Sequence, residues 1–270
     1  MQHEVFMKLA AWIEKNMSGD DWVLLTGASS GIGLEYLRFF CENGCNVLCV
    51  SNEMAKMEEN KANFSSYGNK IENHEMDLSN PEETKAGMDK LAQYNVKILV
   101  NNAGFGLKGR FESHEVDRYI DIISVNAIAP VVATHKILPT MQKNDCGIII
   151  HVASINAYIP IPTNQVYTAT KAFCMSYSLA VSRENKKSQI KFQLVLPGTT
   201  KTPFHDKQGA NPSNLVMTPD VVVQRSIENI NKEIVIPNPA DRALPTIMNL
   251  IPKNLAMDIA EFMVRKRLGL

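Results

Sequence analysis

Six short apolar runs and a candidate seventh, alternating with stretches of helical spacing, constrain this chain more than any single residue does. The runs fall at 22–26, 46–50, 71–76, 97–100, 147–152 and 190–196, with the shorter candidate at 233–236. Helical patterns lie between them at about 32–41, 54–64, 80–94, 116–141 and 165–183. Strands that alternate with helices make β-α-β units, and such units build a parallel sheet. The runs are nearly continuously apolar, as strands are when helices cover both faces. No repeat, low-complexity tract or linker divides the 270 residues. The expectation is a single α/β domain over 21–236, a doubly wound, mostly parallel seven-stranded sheet flanked by helices.

Segments at both ends fall outside this rhythm. A helical extension is expected at 1–20, where Val5, Phe6, Leu9, Trp12 and Ile13 share one face. From 237 to 270 the chain carries Leu244, Ile247, Met248, Leu250, Ile251, Leu255, Ile259, Phe262 and Met263, then Arg265-Lys266-Arg267. This amphipathic segment is expected to pack on or near the pocket or against a partner subunit; a membrane-surface contact beside the basic run is the sharper alternative.

Composition excludes several classes. Lys plus Arg and Asp plus Glu number 28 each, so no basic excess is available for nucleic acid. The five cysteines, Cys41, Cys45, Cys49, Cys146 and Cys174, show no C-x-x-C spacing and lie mostly in apolar segments, which suits reduced thiols and a cytoplasmic location. No signal-like core opens the chain, and no stretch reads as the ~20 apolar residues of a transmembrane span. None of the six histidines pairs at metal-ligand spacing, so no metal is expected, and His151 reads as a satisfied core residue.

Thr26-Gly27-Ala28-Ser29-Ser30-Gly31-Ile32-Gly33 follows the first run and opens a helix. Glycines permit a sharp turn and a close approach to a ligand, and a helix N-terminus offers free N–H groups to a pyrophosphate. An acid at the end of the second run would take the ribose hydroxyls and select NAD. Ser51 and Asn52 stand there instead. A small polar residue leaves room for a 2′-phosphate, so NADP is favoured over NAD, although the nearest cation is Lys56.

Ser154 lies just past the fifth run, and Tyr167 and Lys171 lie four residues apart on the next helix, sharing a face. Carbonyl reduction needs a proton for oxygen as well as a hydride for carbon. A tyrosine titrates near ~10, and a neighbouring ammonium is expected to lower that value. In this reading Tyr167 is the general acid/base, Lys171 tunes it and bonds the nicotinamide ribose, and Ser154 donates to the substrate oxygen.

With these motifs in family order, the sequence resembles the compact single-domain branch of the short-chain dehydrogenases/reductases. The matching residues are T-G-A-S-S-G-I-G at 26–33, Asp77-Leu78, N-N-A-G at 101–104, Asn126, Ser154, Y-T-A-T-K at 167–171 and P-G-T-T-K-T at 197–202. The resemblance implies a Rossmann fold and a catalytic set of Asn126, Ser154, Tyr167 and Lys171. Asn126 would hold a water that links Lys171 to solvent. It also implies cofactor contacts from Gly27, Ser29, Ser30, Gly31, Ile32, Gly33, Ser51, Asn52, Asp77, Leu78, Asn102, Ala103, Gly104, Pro197, Gly198, Thr200 and Thr202, besides Tyr167 and Lys171. A lid at about 204–231, a bulky hydrophobic substrate such as a hydroxysteroid or lipid-like ketone, and a homodimer or homotetramer through the two long helices follow from it too. Ala129 departs from the glycine common in that family. The competing reading is a cofactor-binding sensor or scaffold of the same fold that does not turn over.

Overall fold

The computed structural model describes residues 7–202, 217–252, 254–259 and 262. Its strands are β1 (Asp21–Thr26), β2 (Asn46–Ser51), β3 (Ile71–Glu75), β4 (Asn95–Asn101), β5 (Ile148–Val152), β6 (Lys191–Val195) and β7 (Ile234–Val235). Its helices are α1 (Met7–Asn16), α2 (Gly31–Glu42), α3 (Met54–Phe64), α4 (Pro81–Leu91), α5 (Val116–Ile123), α6 (Ala129–Asn144), α7 (Gln165–Glu184), α8 (Pro219–Glu228) and α9 (Leu244–Leu250). All seven strands pair in parallel in the order β3-β2-β1-β4-β5-β6-β7. The order reverses between β1 and β4, which opens a crevice at the carboxyl ends of those strands.

Both faces of the sheet are covered. Val23, Leu25, Val47, Ile98 and Ile150 belong to one buried layer, and their neighbours Leu24, Leu48, Leu99 and Ile149 to the other. Each such side chain contributes roughly 1.5–3 kcal/mol by leaving water. Chain-local chemistry sets the helix ends. The Asn80 side chain accepts the N–H groups of Glu82 and Glu83, Pro81 fills the first turn, and the two acids sit at the positive end of the α4 dipole.

Two expectations change. The segment 116–141 runs as Val116–Asn144, with a π-helical stretch, Ser124–Ile128, between α5 and α6. By length and composition it is apolar enough to cross a membrane, contrary to the reading that no stretch is; 56% of its most apolar window is buried in the fold. The lid expected at 204–231 does not extend over its second half. There α8 buries Val222, Val223 and Ile227, and Ser226 accepts the Tyr36 hydroxyl at 2.6 Å; residues 203–216 lie outside the described residues. In the N-terminal extension, α1 packs against the core, with Leu9 fully buried and Ile13 nearly so. Val5 and Phe6 lie outside the described residues, as do 263–270.

Candidate active site

The Gly-rich turn is built around two contacts that only glycine allows. Gly27 has φ +70°, and a Cβ there would come within 2.9 Å of the Ala103 Cα. A Cβ on Gly33 would overlap the Gly27 carbonyl oxygen. Asn102 pins the turn from the other side of the crevice: its Nδ2 donates to the Thr26 and Gly27 carbonyls at 3.0 and 3.2 Å. Thr26 Oγ1 accepts the N–H groups of Asn102 and Ala103. Ser30 caps α2 in extended geometry without a side-chain hydrogen bond, so the first-turn N–H groups of α2 have no side-chain acceptor. Thr202 closes over this turn, its Cγ2 3.0 Å from where a Gly31 Cβ would be.

At the end of β2, buried Ser51 accepts the Glu53 N–H, and Asn52 is exposed. Glu53, absent from the sequence-based set, lies between the expected adenosine contacts. Its Oε2 accepts Ser29 Oγ at 2.7 Å and its Oε1 meets Lys56 Nζ at 2.7 Å. An acid two positions beyond the customary place was the available signal. Asp77 is exposed and accepts the N–H and hydroxyl of Ser79, and Leu78 is buried beneath it.

The catalytic candidates meet at the carboxyl ends of β4 and β5. Asn126 lies in the π-helical stretch, a distortion frequent at functional sites. Its amide exchanges hydrogen bonds with the Phe105 backbone at 3.0 and 2.9 Å and donates to Thr170 Oγ1 at 3.1 Å. Lys171 Nζ donates to the Val152 carbonyl at 3.2 Å and lies 5.7 Å from the centroid of the Tyr167 ring. A Cβ on Gly104 would fall 3.1 Å from Asn126 Oδ1 and 3.2 Å from Lys171 Nζ, which binds the N-N-A-G turn to this pair. Ser154 Oγ accepts the Asn156 N–H, and its hydroxyl lies near enough to that of Tyr167 to favour the ionised phenol. A small cavity of about 10 Å³, bounded in part by Asn101, Asn126, Lys171 and Cys174, has room for one water at most.

The electrostatics correct one expectation. Lys171 does not lower the Tyr167 hydroxyl in this state: burial pushes it up to about 12, and the nearby Ser154 hydroxyl only partly offsets that. Burial also lowers Lys171. Desolvation, which spacing along a helix does not reveal, is the largest influence on both groups.

Pro197 and Gly198 close the site after β6. The Pro197 carbonyl accepts the Ile155 N–H at 2.9 Å, and Thr200 pairs with Met217. A side chain on Gly198 would overlap Asp241, so the segment after β7 is seated against this loop. His151 is buried in β5, but its Nε2 has no hydrogen-bond partner, so it is not the satisfied core residue expected. Among the described residues no cluster of metal-ligating side chains occurs.

A family model described as short chain dehydrogenase matches residues 21–213. A very-long-chain 3-oxoacyl-CoA reductase of Phaeosphaeria nodorum is 29% identical over 224 residues, 78% of this chain and 63% of that protein. The human 17-beta-hydroxysteroid dehydrogenase type 3 is 28% identical over 213 residues, 77% of this chain and 68% of that one. The chain thus spans about two thirds of the length of these relatives. Among solved structures, a short-chain dehydrogenase from Sphingobium yanoikuyae in complex with NADPH is 26% identical, with a TM-score of 0.77 over 86% of this chain and 96% of that one.

Proposed function

The chain belongs to the short chain dehydrogenase family, and we propose that it is an NAD(P)-dependent oxidoreductase that interconverts a bulky hydrophobic ketone and its secondary alcohol. The observation that carries this reading is the convergence of Ser154, Tyr167, Lys171 and Asn126 at the end of the crevice that begins at the Gly-rich turn.

The crevice suits a dinucleotide. Gly27, Ser29, Ser30, Gly31, Ile32 and Gly33 would cradle the pyrophosphate at the α2 N-terminus. Ser51, Asn52, Asp77 and Leu78 would flank the adenosine. Asn102, Ala103, Gly104, Pro197, Gly198, Thr200 and Thr202 would line the nicotinamide half. When bound, the nicotinamide supplies or accepts the hydride at the substrate carbon. NADP is proposed over NAD because Ser51 leaves room at β2 and Lys56 brings a cation; the NADPH in the Sphingobium relative supports the same choice.

The residues then do the following. Tyr167 gives its hydroxyl proton to the carbonyl oxygen as the carbon becomes tetrahedral. Ser154 donates a hydrogen bond to that oxygen and stabilises its growing charge. Lys171, held by the Val152 carbonyl, stabilises the phenolate left behind and returns a proton to it, with Asn126 fixing the backbone beside it. A phenol kept protonated by burial favours reduction near neutral pH; oxidation, which needs the phenolate, speeds up as pH rises.

A hydroxysteroid or lipid-like ketone is the proposed substrate, supported by the names of the two relatives and by the apolar segment after β7. A homodimer or homotetramer is proposed through α5 to α7, whose outer faces form an open apolar groove of about 670 Å³. Ser154, Tyr167 and Lys171 do not line it. Five unpaired cysteines suit a reducing compartment such as the cytoplasm.

Titration with NADPH and with NADH, read by cofactor fluorescence, tests the binding half. Tyr167→Phe tests the chemistry: binding should stay within about twofold while turnover on a panel of steroid and aliphatic ketones falls by on the order of 10²–10⁴. Unchanged fluorescence in the wild type would reject cofactor binding. Cofactor binding without turnover on any ketone would favour a sensor.

A further inference from the structure

We propose that Asn60 is a positioning residue for the pyrophosphate of the dinucleotide, acting through the Gly-rich turn; the role rests on the proposed cofactor binding. Helix α3 buries one stripe at helical spacing, Met57, Asn60 and Phe64, while Glu58, Glu59 and Lys61 beside it are exposed. Met57 and Phe64 join the apolar core. Asn60 stands where that stripe asks for an apolar side chain, and it is only 8% exposed. A buried amide costs stability unless its hydrogen bonds are made, so its partners identify its use. Asn60 Nδ2 donates to the Ser29 carbonyl at 3.1 Å and reaches the Ala28 carbonyl at 3.5 Å.

These contacts complete a pattern along the turn. Asn102 takes the Thr26 and Gly27 carbonyls, Asn60 those of Ala28 and Ser29, and the Leu34 N–H that of Ser30 at 3.3 Å. Every carbonyl oxygen from Thr26 to Ser30 is thereby engaged inside the protein. A carbonyl oxygen turned toward a bound phosphate would repel it, whereas the N–H groups at the start of α2 attract it. Asn102 holds the half of the turn that leaves β1, and Asn60 holds the half that enters α2. Glu53, at the N-cap of α3, accepts the Ser29 hydroxyl at 2.7 Å, so the same helix grips Ser29 by side chain and by backbone. With an apolar residue in place of Asn60, the Ala28 and Ser29 carbonyls lose their buried donor. The peptides that carry them are then free to turn an oxygen toward the crevice.

Fluorescence titration of the full chain with NADPH tests the role. Asn60→Leu matches the stripe but has no donor; Asn60→Asp keeps the shape and sets a carboxylate against the two carbonyls. The NADPH dissociation constant should rise roughly tenfold for the first and on the order of a hundredfold for the second. Competition against NADPH separates positioning from general damage. ADP-ribose, which keeps the pyrophosphate, should weaken as NADPH does, while adenosine, which has none, should stay within about twofold of its wild-type affinity. Thermal unfolding without cofactor checks that each variant is folded. Asn60→Ser, which removes the amide and stays polar, serves if both melt well below the wild type. Folded variants that bind NADPH as the wild type does overturn the proposal. So does an equal loss for adenosine and ADP-ribose, since Asn60 would then support the fold alone. A wild type that binds neither NADPH nor NADH instead rejects cofactor binding itself, and the role falls with it.

Discussion

Glu53 is where two opposing demands on the adenosine pocket meet. Its carboxylate can accept a ribose hydroxyl, and it already accepts one from Ser29. The same charge repels a 2′-phosphate, and it holds Lys56, the cation such a phosphate would use. Both side chains are partly exposed, so the ion pair is screened and easily exchanged. Glu53→Gln keeps an acceptor for Ser29, removes the repulsion and frees Lys56. The ratio of NADH to NADPH dissociation constants, measured by fluorescence titration, should move toward NADPH by roughly tenfold. An unchanged ratio would remove Glu53 from the pocket. The Ser51 argument could be made from the sequence because the end of β2 is a local feature; the role of Glu53 could not, because it depends on Ser29, which belongs to a different turn.

Between elements, the unusual feature is a buried polar network beside Lys171, the proposed partner of Tyr167. Asn101 of β4 donates to Thr134 of α6 at 3.2 Å and lies 3.3 Å from His151 Nδ1 of β5. Tyr177 of α7 meets the His151 ring edge to face at 5.6 Å, with Thr134 near its hydroxyl. Because the Asn101 amide donates to Nδ1, the proton of the neutral ring sits on Nε2. Burial holds the ring neutral, with its pKa lowered to about 4 from an ordinary 6.5. Between these values the unfolded chain binds a proton that the folded one refuses, so stability falls as pH drops below 6.5 and the loss is complete below about 4. That difference is worth ~3 kcal/mol. His151→Asn should therefore flatten the acid limb of unfolding free energy against pH, measured by urea denaturation at a series of pH values. A limb as steep as that of the wild type would place the acid sensitivity elsewhere. Strand β5 itself was legible from its run of isoleucines, but the state of its histidine was not, since the groups around it come from three other elements. Similarly, Tyr167 and Lys171 could be read from their spacing, while their pKa directions required the burial that only packing creates.

For the molecule as a whole, the alternation of runs was enough for the doubly wound sheet, because covered parallel strands and amphipathic helices leave few other arrangements. It could not show that α8 is a core helix, whose partners Tyr36 and Gln193 are 190 and 33 residues away. Nor could it show which surface stays open. The outer face of α5 to α7 leaves Ile123 42%, Ile128 36% and Phe173 46% exposed along the apolar groove. That face lies directly behind the proposed catalytic residues. Ala127 and Ile128 line the groove and follow Asn126 in the π-helical stretch, and Thr170, another lining residue, hydrogen-bonds Asn126. A second copy seated on the groove would cover the apolar side chains and hold the π-helical stretch in place at the same time. Ile123→Asp with Phe173→Asp puts a charge on each wall without touching the reacting groups. Sedimentation velocity should then show a monomer where the wild type forms a dimer or larger assembly. Turnover should fall several-fold as Asn126 loses its backing, while NADPH binding at the distant Gly-rich turn changes little. A double variant that sediments like the wild type would mean that the subunits meet elsewhere. A monomer of full activity would separate assembly from catalysis, leaving the Asn126 geometry to the chain's own helices.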